Sequence, residues 1–310
     1  MPSTILLFPG QGAQRVGMAA DLSTAFPVAR DTLAAIDEAL GVPLSRLMAE
    51  GPEDELQMTH NAQPAILAHS AAVLAVLAGR LGSVVAAVGH SLGEYTGYLA
   101  AGALTAPDAA RLVRRRGELM REAGLARPGA MAAVLGLATA DVEAACAAAS
   151  NPEDGVVVAA NQNAPDQTVI SGDPAAVAAA GARCKERGAK RVLPLKVSGA
   201  FHSPLMAPAV AGLALALAEA PWRTPRFPVV ANASATPVTD PAQARRLLAE
   251  QLTAPVRWVE CIEAAAALDP EARFIELGPG AVLAGLLKRI RPQAICNSLG
   301  TVKDLEAFAG

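Results

Sequence analysis

Residues 84–97 read VVAAVGHSLGEYTG. An apolar, β-branched run stops at a glycine, passes through His-Ser-Leu-Gly, and gives way to a helical pattern. A short apolar run closed in this way predicts a buried strand. The motif Gly89-His90-Ser91-Leu92-Gly93 between a strand and a helix is the arrangement of a nucleophile elbow. A serine on a tight turn holds its hydroxyl proud of the sheet. Glycines two residues to either side let strand and helix approach closely. The backbone N–H of Leu92, at the helix N-terminus, is placed to bind an oxyanion. A glycine-rich turn with a serine helix cap would use the same residues for structure alone, but the strand ahead of the motif favours the nucleophile.

A serine hydroxyl needs a base, most often histidine, and the chain has 4 histidines. His90 adjoins Ser91, and neighbouring side chains on a sharp turn rarely converge. His69 falls in an apolar helical stretch, and His60 in the polar segment HNAQP. By elimination the base is His202, in VSGAFHSPLM. No histidine follows it, whereas an α/β-hydrolase places its base near the C-terminus.

Working outward, strand-like runs (TILLF at 4–8, FPVVANAS at 227–234, RFIELG at 273–278) alternate with helical stretches. These lie near 30–40, 64–81, 92–103, 106–122, 204–219, 241–253 and 280–290. Such alternation predicts an α/β fold with a mostly parallel sheet. The middle of the chain differs. MAAVLG, ADVEAACAAA, GVVVAAN, QTVISG, PAAVAAAGARCKERG and KRVLPL follow in the order β-α-β-β-α-β, the ferredoxin-like signature. The expected organisation is a discontinuous large α/β domain, 1–127 and 198–310, carrying a ferredoxin-like α+β subdomain at 128–197. The cleft between them is the expected ligand site.

Composition narrows the function classes. The chain is 52% hydrophobic and 18% charged with net charge −3, which is globular and argues against nucleic acid as a partner. Residues 61–79 carry no charge, but Asn61, Gln63, Pro64, His69 and Ser70 interrupt the run, which predicts a buried helix rather than a membrane span. Four scattered cysteines without metal spacing, and no signal-peptide pattern, lead us to expect a cytoplasmic protein with no metal site.

Within APDAARLVRRRGELMREAG, a helix turning about 100° per residue puts Arg116 on the stripe of Ala109, Leu112, Val113 and Met120. Arg111, Arg114, Arg115 and Arg121 fall on other sides. A buried guanidinium keeps its proton and must find an anion. That anion is either a buried acid of the protein or a substrate carboxylate, and the pattern does not choose between them.

FPGQGAQ, GHSLGEYTG, RRRGELM, ANQNAPDQTVISG, VSGAFHSPLM and ELGPGAVL occur in that order from Phe8 to about Arg291. Together they resemble the malonyl-CoA:acyl-carrier-protein transacylase family, which loads malonyl units for fatty-acid synthesis and whose fold also serves polyketide synthases. The resemblance implies an α/β-hydrolase-like core with a ferredoxin-like insertion. It implies Ser91 as nucleophile, His202 as base, and the N–H groups of Gln11 and Leu92 as oxyanion hole. Arg116 would bind the malonyl carboxylate, Gln63 would line the pocket, and Gln251 would help orient the imidazole. Phe201, before the histidine, favours malonyl over branched acyl groups. The implied partners are malonyl-CoA and acyl carrier protein, acting on a monomer without cofactor.

The rival enzymatic reading, a serine thioesterase or lipase, gives no reason for Arg116. A catalytically idle carrier-binding module gives none for pairing Ser91 with His202. Carrier proteins of such pathways are acidic, and residues 183–191, RCKERGAKR, hold five basic residues and one acid. That segment is the expected docking surface at the rim of the cleft.

Overall fold

The runs TILLF and VVAAVG lie side by side as β1 (Thr4–Phe8) and β2 (Val84–Gly89), parallel and in the middle of a sheet. The structure, a computed structural model, describes residues 3–151, 155–197 and 199–308. Alternate residues of β1 serve two cores. Leu6 and Phe8 pack with Ile66, Leu67 and Tyr95 on one face. Ile5 and Leu7 pack with Trp258, Ile262 and Leu287 on the other. A strand covered on both faces has no polar side to show, which is why these runs read as continuously apolar rather than alternating.

The middle of the chain supplies β3 (Ala130–Leu135), β4 (Val157–Ala164), β5 (Gln167–Gly172) and β6 (Arg191–Pro194). Then come β7 (Val229–Ala231), β8 (Thr236–Val238), β9 (Arg273–Leu277) and β10 (Cys296–Leu299). The large sheet has the order β10-β9-β1-β2-β7-β8, parallel except for the β7–β8 pair. The second sheet, β4-β5-β3-β6, is antiparallel throughout. The helices Thr139–Ala149 and Pro174–Glu186 bury Val142, Cys146, Val177 and Cys184 against one of its faces. This is the expected fold class. All strands of the small sheet fall between Ala130 and Pro194, and those of the large sheet lie outside that span. The domain boundary expected at 198 falls on a residue outside the described ones.

Two expectations are corrected. The apolar helix does not begin at Pro64 but spans Thr59–Val76, with Pro64 inside it and His60 on its first turn. Proline has no N–H to give the carbonyl of His60, four residues back. Arg114 supplies the missing donor, its Nη1 lying 3.2 Å from that oxygen. The run FPVVANAS is strand only over Val229–Ala231, because Asn232 turns out of the ladder towards the elbow. Among the described residues, no helix is long and apolar enough to cross a membrane.

Candidate active site

Ser91 lies two residues beyond the end of β2, with φ of 52° in the left-handed region. A non-glycine residue holds that conformation at a cost of about 1–2 kcal/mol unless its surroundings fix it. Asn232, one residue beyond β7, does so. Its Oδ1 accepts the Ser91 N–H at 2.7 Å, and its Nδ2 donates to Gly89 O at 2.8 Å. The two motif glycines are required by space. A Cβ on Gly89 would lie 1.9 Å from the Gly93 carbonyl carbon, and one on Gly93 would lie 2.2 Å from Phe8 O. The helix Gly93–Ala100 therefore starts in contact with the ends of β1 and β2.

His202 Nε2 lies 2.7 Å from Ser91 Oγ, and its Nδ1 lies 2.9 Å from the main-chain oxygen of Gln251. A carbonyl can only accept, so Nδ1 carries the proton and Nε2 is free to take one from the serine. His202 is also left-handed, with φ of 56°. Burial first, and then the positive charge of Arg116, push its pKa down to about 3. The imidazole is neutral at physiological pH. Of the other histidines, His90 also lines the cleft but pairs with Asn163 at 2.8 Å, its ring tilted against Trp258, and His69 meets Gly300 O at 2.8 Å.

Arg116 is 1% exposed. Its Nη2 donates to Ser91 Oγ and to Gln251 Oε1, each at 3.0 Å, and its Nη1 donates to Gln63 Oε1 at 2.6 Å. Among the described residues, no carboxylate lies within ion-pair distance of it. Its neighbours Arg111 and Arg115 point outward to Asp108 and Glu122, as the helical geometry predicts, while the half-buried Arg114 pairs with Glu118 beside the next helix. Gly117 lets this helix touch the next, since a Cβ there would lie 2.6 Å from His60 Cα.

These groups open into a cleft of about 470 Å³ bounded by Gln11, Leu92, Met120 and Phe201 on one side and by Met131, Ala133, Asn161, Asn163 and Val169 of the small sheet on the other. Gln11 and Leu92 line it, and their backbone N–H groups make no hydrogen bond to any described group. Gln63, expected to line the pocket, is instead fully buried behind Arg116, donating to Thr59 Oγ1 at 2.9 Å, and Thr59 in turn donates to Gln11 Oε1 at 2.9 Å.

The chain matches the acyl transferase domain family over residues 5–308. It is 44% identical to the malonyl CoA-acyl carrier protein transacylase of Escherichia coli K12, over 99% of both chains. It therefore belongs to the acyl transferase family, among the malonyl CoA-acyl carrier protein transacylases. The solved transacylase of Xanthomonas oryzae superposes with a TM-score of 0.94 at 43% identity, covering 100% of this chain and 99% of that one. A malonyl-transacylase solved in complex with its type II PKS acyl-carrier protein gives 0.93 at 40% identity, over 99% of each.

The acyl transferase site includes residues that sequence reasoning passed over. Asn232 and Glu94 brace the elbow, and Thr59 joins Gln63 to Gln11. Asn232 had a readable signal, as a polar residue just past a strand that pairs with the elbow strand in a parallel sheet, where such sheets carry their sites. Glu94 and Thr59 had none, because each is buried only through contacts made far along the chain. Gln251 meets His202 through its main-chain oxygen, while its side chain reaches Arg116. Of the basic residues 183–191, none lines the cleft, but Lys196 does.

Proposed function

We propose that this chain moves a malonyl group from malonyl-CoA to the phosphopantetheine thiol of an acyl carrier protein, through an ester on Ser91. The observation that carries this reading is Arg116. Among the described residues it is a buried cation with no carboxylate at ion-pair distance, 3.0 Å from the hydroxyl that would hold the acyl group. A malonyl ester on Ser91 would present its carboxylate there, where two parallel N–H···O bonds can grip it.

Ser91 Oγ attacks the thioester carbon as its proton passes to His202 Nε2. The oxyanion collects the N–H groups of Leu92 and Gln11, each such donor contributing about 3 kcal/mol in comparable sites. The C–S bond breaks, and the coenzyme A sulfur leaves with the proton from His202. The carrier thiol then gives its proton to the same nitrogen, attacks the ester and restores Ser91, so the kinetics are ping-pong. A thioester is exchanged for a thioester, so no redox partner or cofactor is required. We place the chain in the cytoplasm, which is supported by four free cysteines.

The test is intact-protein mass after mixing with malonyl-CoA, which should show one malonyl group, mapped to Ser91 and absent from Ser91→Ala. Label on another residue, or on the alanine variant, would overturn the assignment.

A further inference from the structure

Behind Ser91, His202 and Arg116 lie Asn232 and Gln251, and both of these donate to one atom. Asn232 holds the Ser91 N–H. Gln251 holds Arg116 with its amide oxygen, His202 with its carbonyl, and the Ser91 carbonyl with its amide nitrogen at 3.1 Å. The Asn232 main-chain N–H and the Gln251 amide N–H then meet on the same carboxylate oxygen, Glu94 Oε2, at 2.9 and 2.7 Å. Glu94 is 0% exposed, and its Oε1 has no hydrogen-bond partner among the described residues.

We propose that Glu94 is a positioning residue for the transfer, the single acceptor on which Asn232 and Gln251 fix the nucleophile, the base and the arginine in register. This rests on the roles given above to those three residues. A helix residue three places after the serine reaches back under the elbow, so the helix that offers the oxyanion N–H also carries the anchor. Acceptor geometry, rather than charge, is what the contacts demand, because both bonds fall on one oxygen and the other is idle. Burial agrees, pushing the Glu94 carboxyl up to about 7 despite the two hydrogen bonds and the nearby charge of Arg116. Near neutral pH much of the acid is protonated, and Oε2 accepts in either form. Tyr95, Tyr98 and Cys261 are the other titratable groups facing it, and burial keeps all three neutral.

Two substitutions separate geometry from charge. Glu94→Gln keeps a carbonyl oxygen at Oε2 and loses the charge. Glu94→Asp keeps the charge and draws the acceptor back by about 1.5 Å. The measurement is the single-turnover rate of Ser91 acylation by malonyl-CoA, per folded molecule and well below each variant's melting midpoint. Glu94→Ala and Glu94→Asp should be slower by about tenfold or more, as misplacement of reacting groups by an ångström does. Glu94→Gln should recover to within about threefold of wild type. Aspartate at the wild-type rate, or glutamine as slow as alanine, overturns the proposal. A variant that merely melts earlier, with its rate per folded molecule intact, overturns it too. If the wild-type chain run alongside gains no malonyl on Ser91, the function itself falls and the anchor with it. If the wild type is acylated and the variants disobey, only the anchor falls.

Discussion

Arg116 and Ser91 share a hydrogen bond of 3.0 Å, and among the described residues the guanidinium that makes it has three oxygen acceptors but no carboxylate at ion-pair distance. A desolvated cation held only by neutral oxygens has capacity left for an anion. Arg116→Ala should therefore cut malonyl transfer by about a hundredfold, the size of one buried charge-assisted contact, while acetyl transfer falls far less. Parallel assays with malonyl-CoA and acetyl-CoA check this. Equal losses would make Arg116 a structural residue.

The same arginine acts on the base. Burial is the larger cause of the depressed His202 pKa and the Arg116 charge the next. Both disfavour the imidazolium, so removing the charge must raise the pKa. In Arg116→Gln the His202 ring should titrate at a higher pH than the wild-type value of about 3, as followed by NMR of the imidazole. A downward or absent shift would refute the coupling.

His69 is buried, donates to Gly300 O, and has its pKa lowered to about 4, chiefly by burial. The folded state thus resists a proton that the unfolded chain accepts below about 6.5. Above that pH the two states bind alike and there is no penalty. Below it stability falls, by about 2 kcal/mol near pH 5 from this residue alone, and the loss stops growing below the folded pKa. His69→Gln, which keeps a donor, should flatten the decline in urea midpoint between about pH 6.5 and 4. An unchanged slope would show that other groups carry it.

For carrier docking, Lys190 and Arg191 are exposed and form no ion pair among the described residues. On the helix Val282–Ile290, Arg289 is bound to Asp166, and just beyond it Arg291 is bound to Glu263. The unpaired charges are the ones available to an acidic partner. Changing both Lys190 and Arg191 to Glu should raise the carrier's KM and weaken its salt dependence, with acylation by malonyl-CoA nearly unaltered. Unchanged carrier kinetics would move docking towards Lys288–Arg291.

Much of this site was legible because its signals are local. The glycines of the elbow, the inward face of the arginine helix and the strand runs at 4–8 and 84–89 each declare themselves within a few residues. What escaped was decided by partners distant in sequence. Pro64 looked like a helix start because its rescue by Arg114 lies on another helix. The strand Cys296–Leu299 carries Asn and Ser at its centre and is a strand because β9 offers it an edge. Glu94 sits in a first helical turn, where acids are common, and only the folded chain brings Asn232 and Gln251 to it.

The three-way grip of Arg116 on Gln63, Ser91 and Gln251 also bears on how such an enzyme could change its diet over generations. Replacing the arginine alone strands two buried amide oxygens, each at about 1–3 kcal/mol. Replacing either amide alone leaves the cation short of a partner. A lineage moving from dicarboxylic to neutral acyl groups must therefore alter positions 63, 116 and 251 together or through a destabilised ancestor. The trio should be inherited as a block, and acyl preference should shift in jumps rather than by drift.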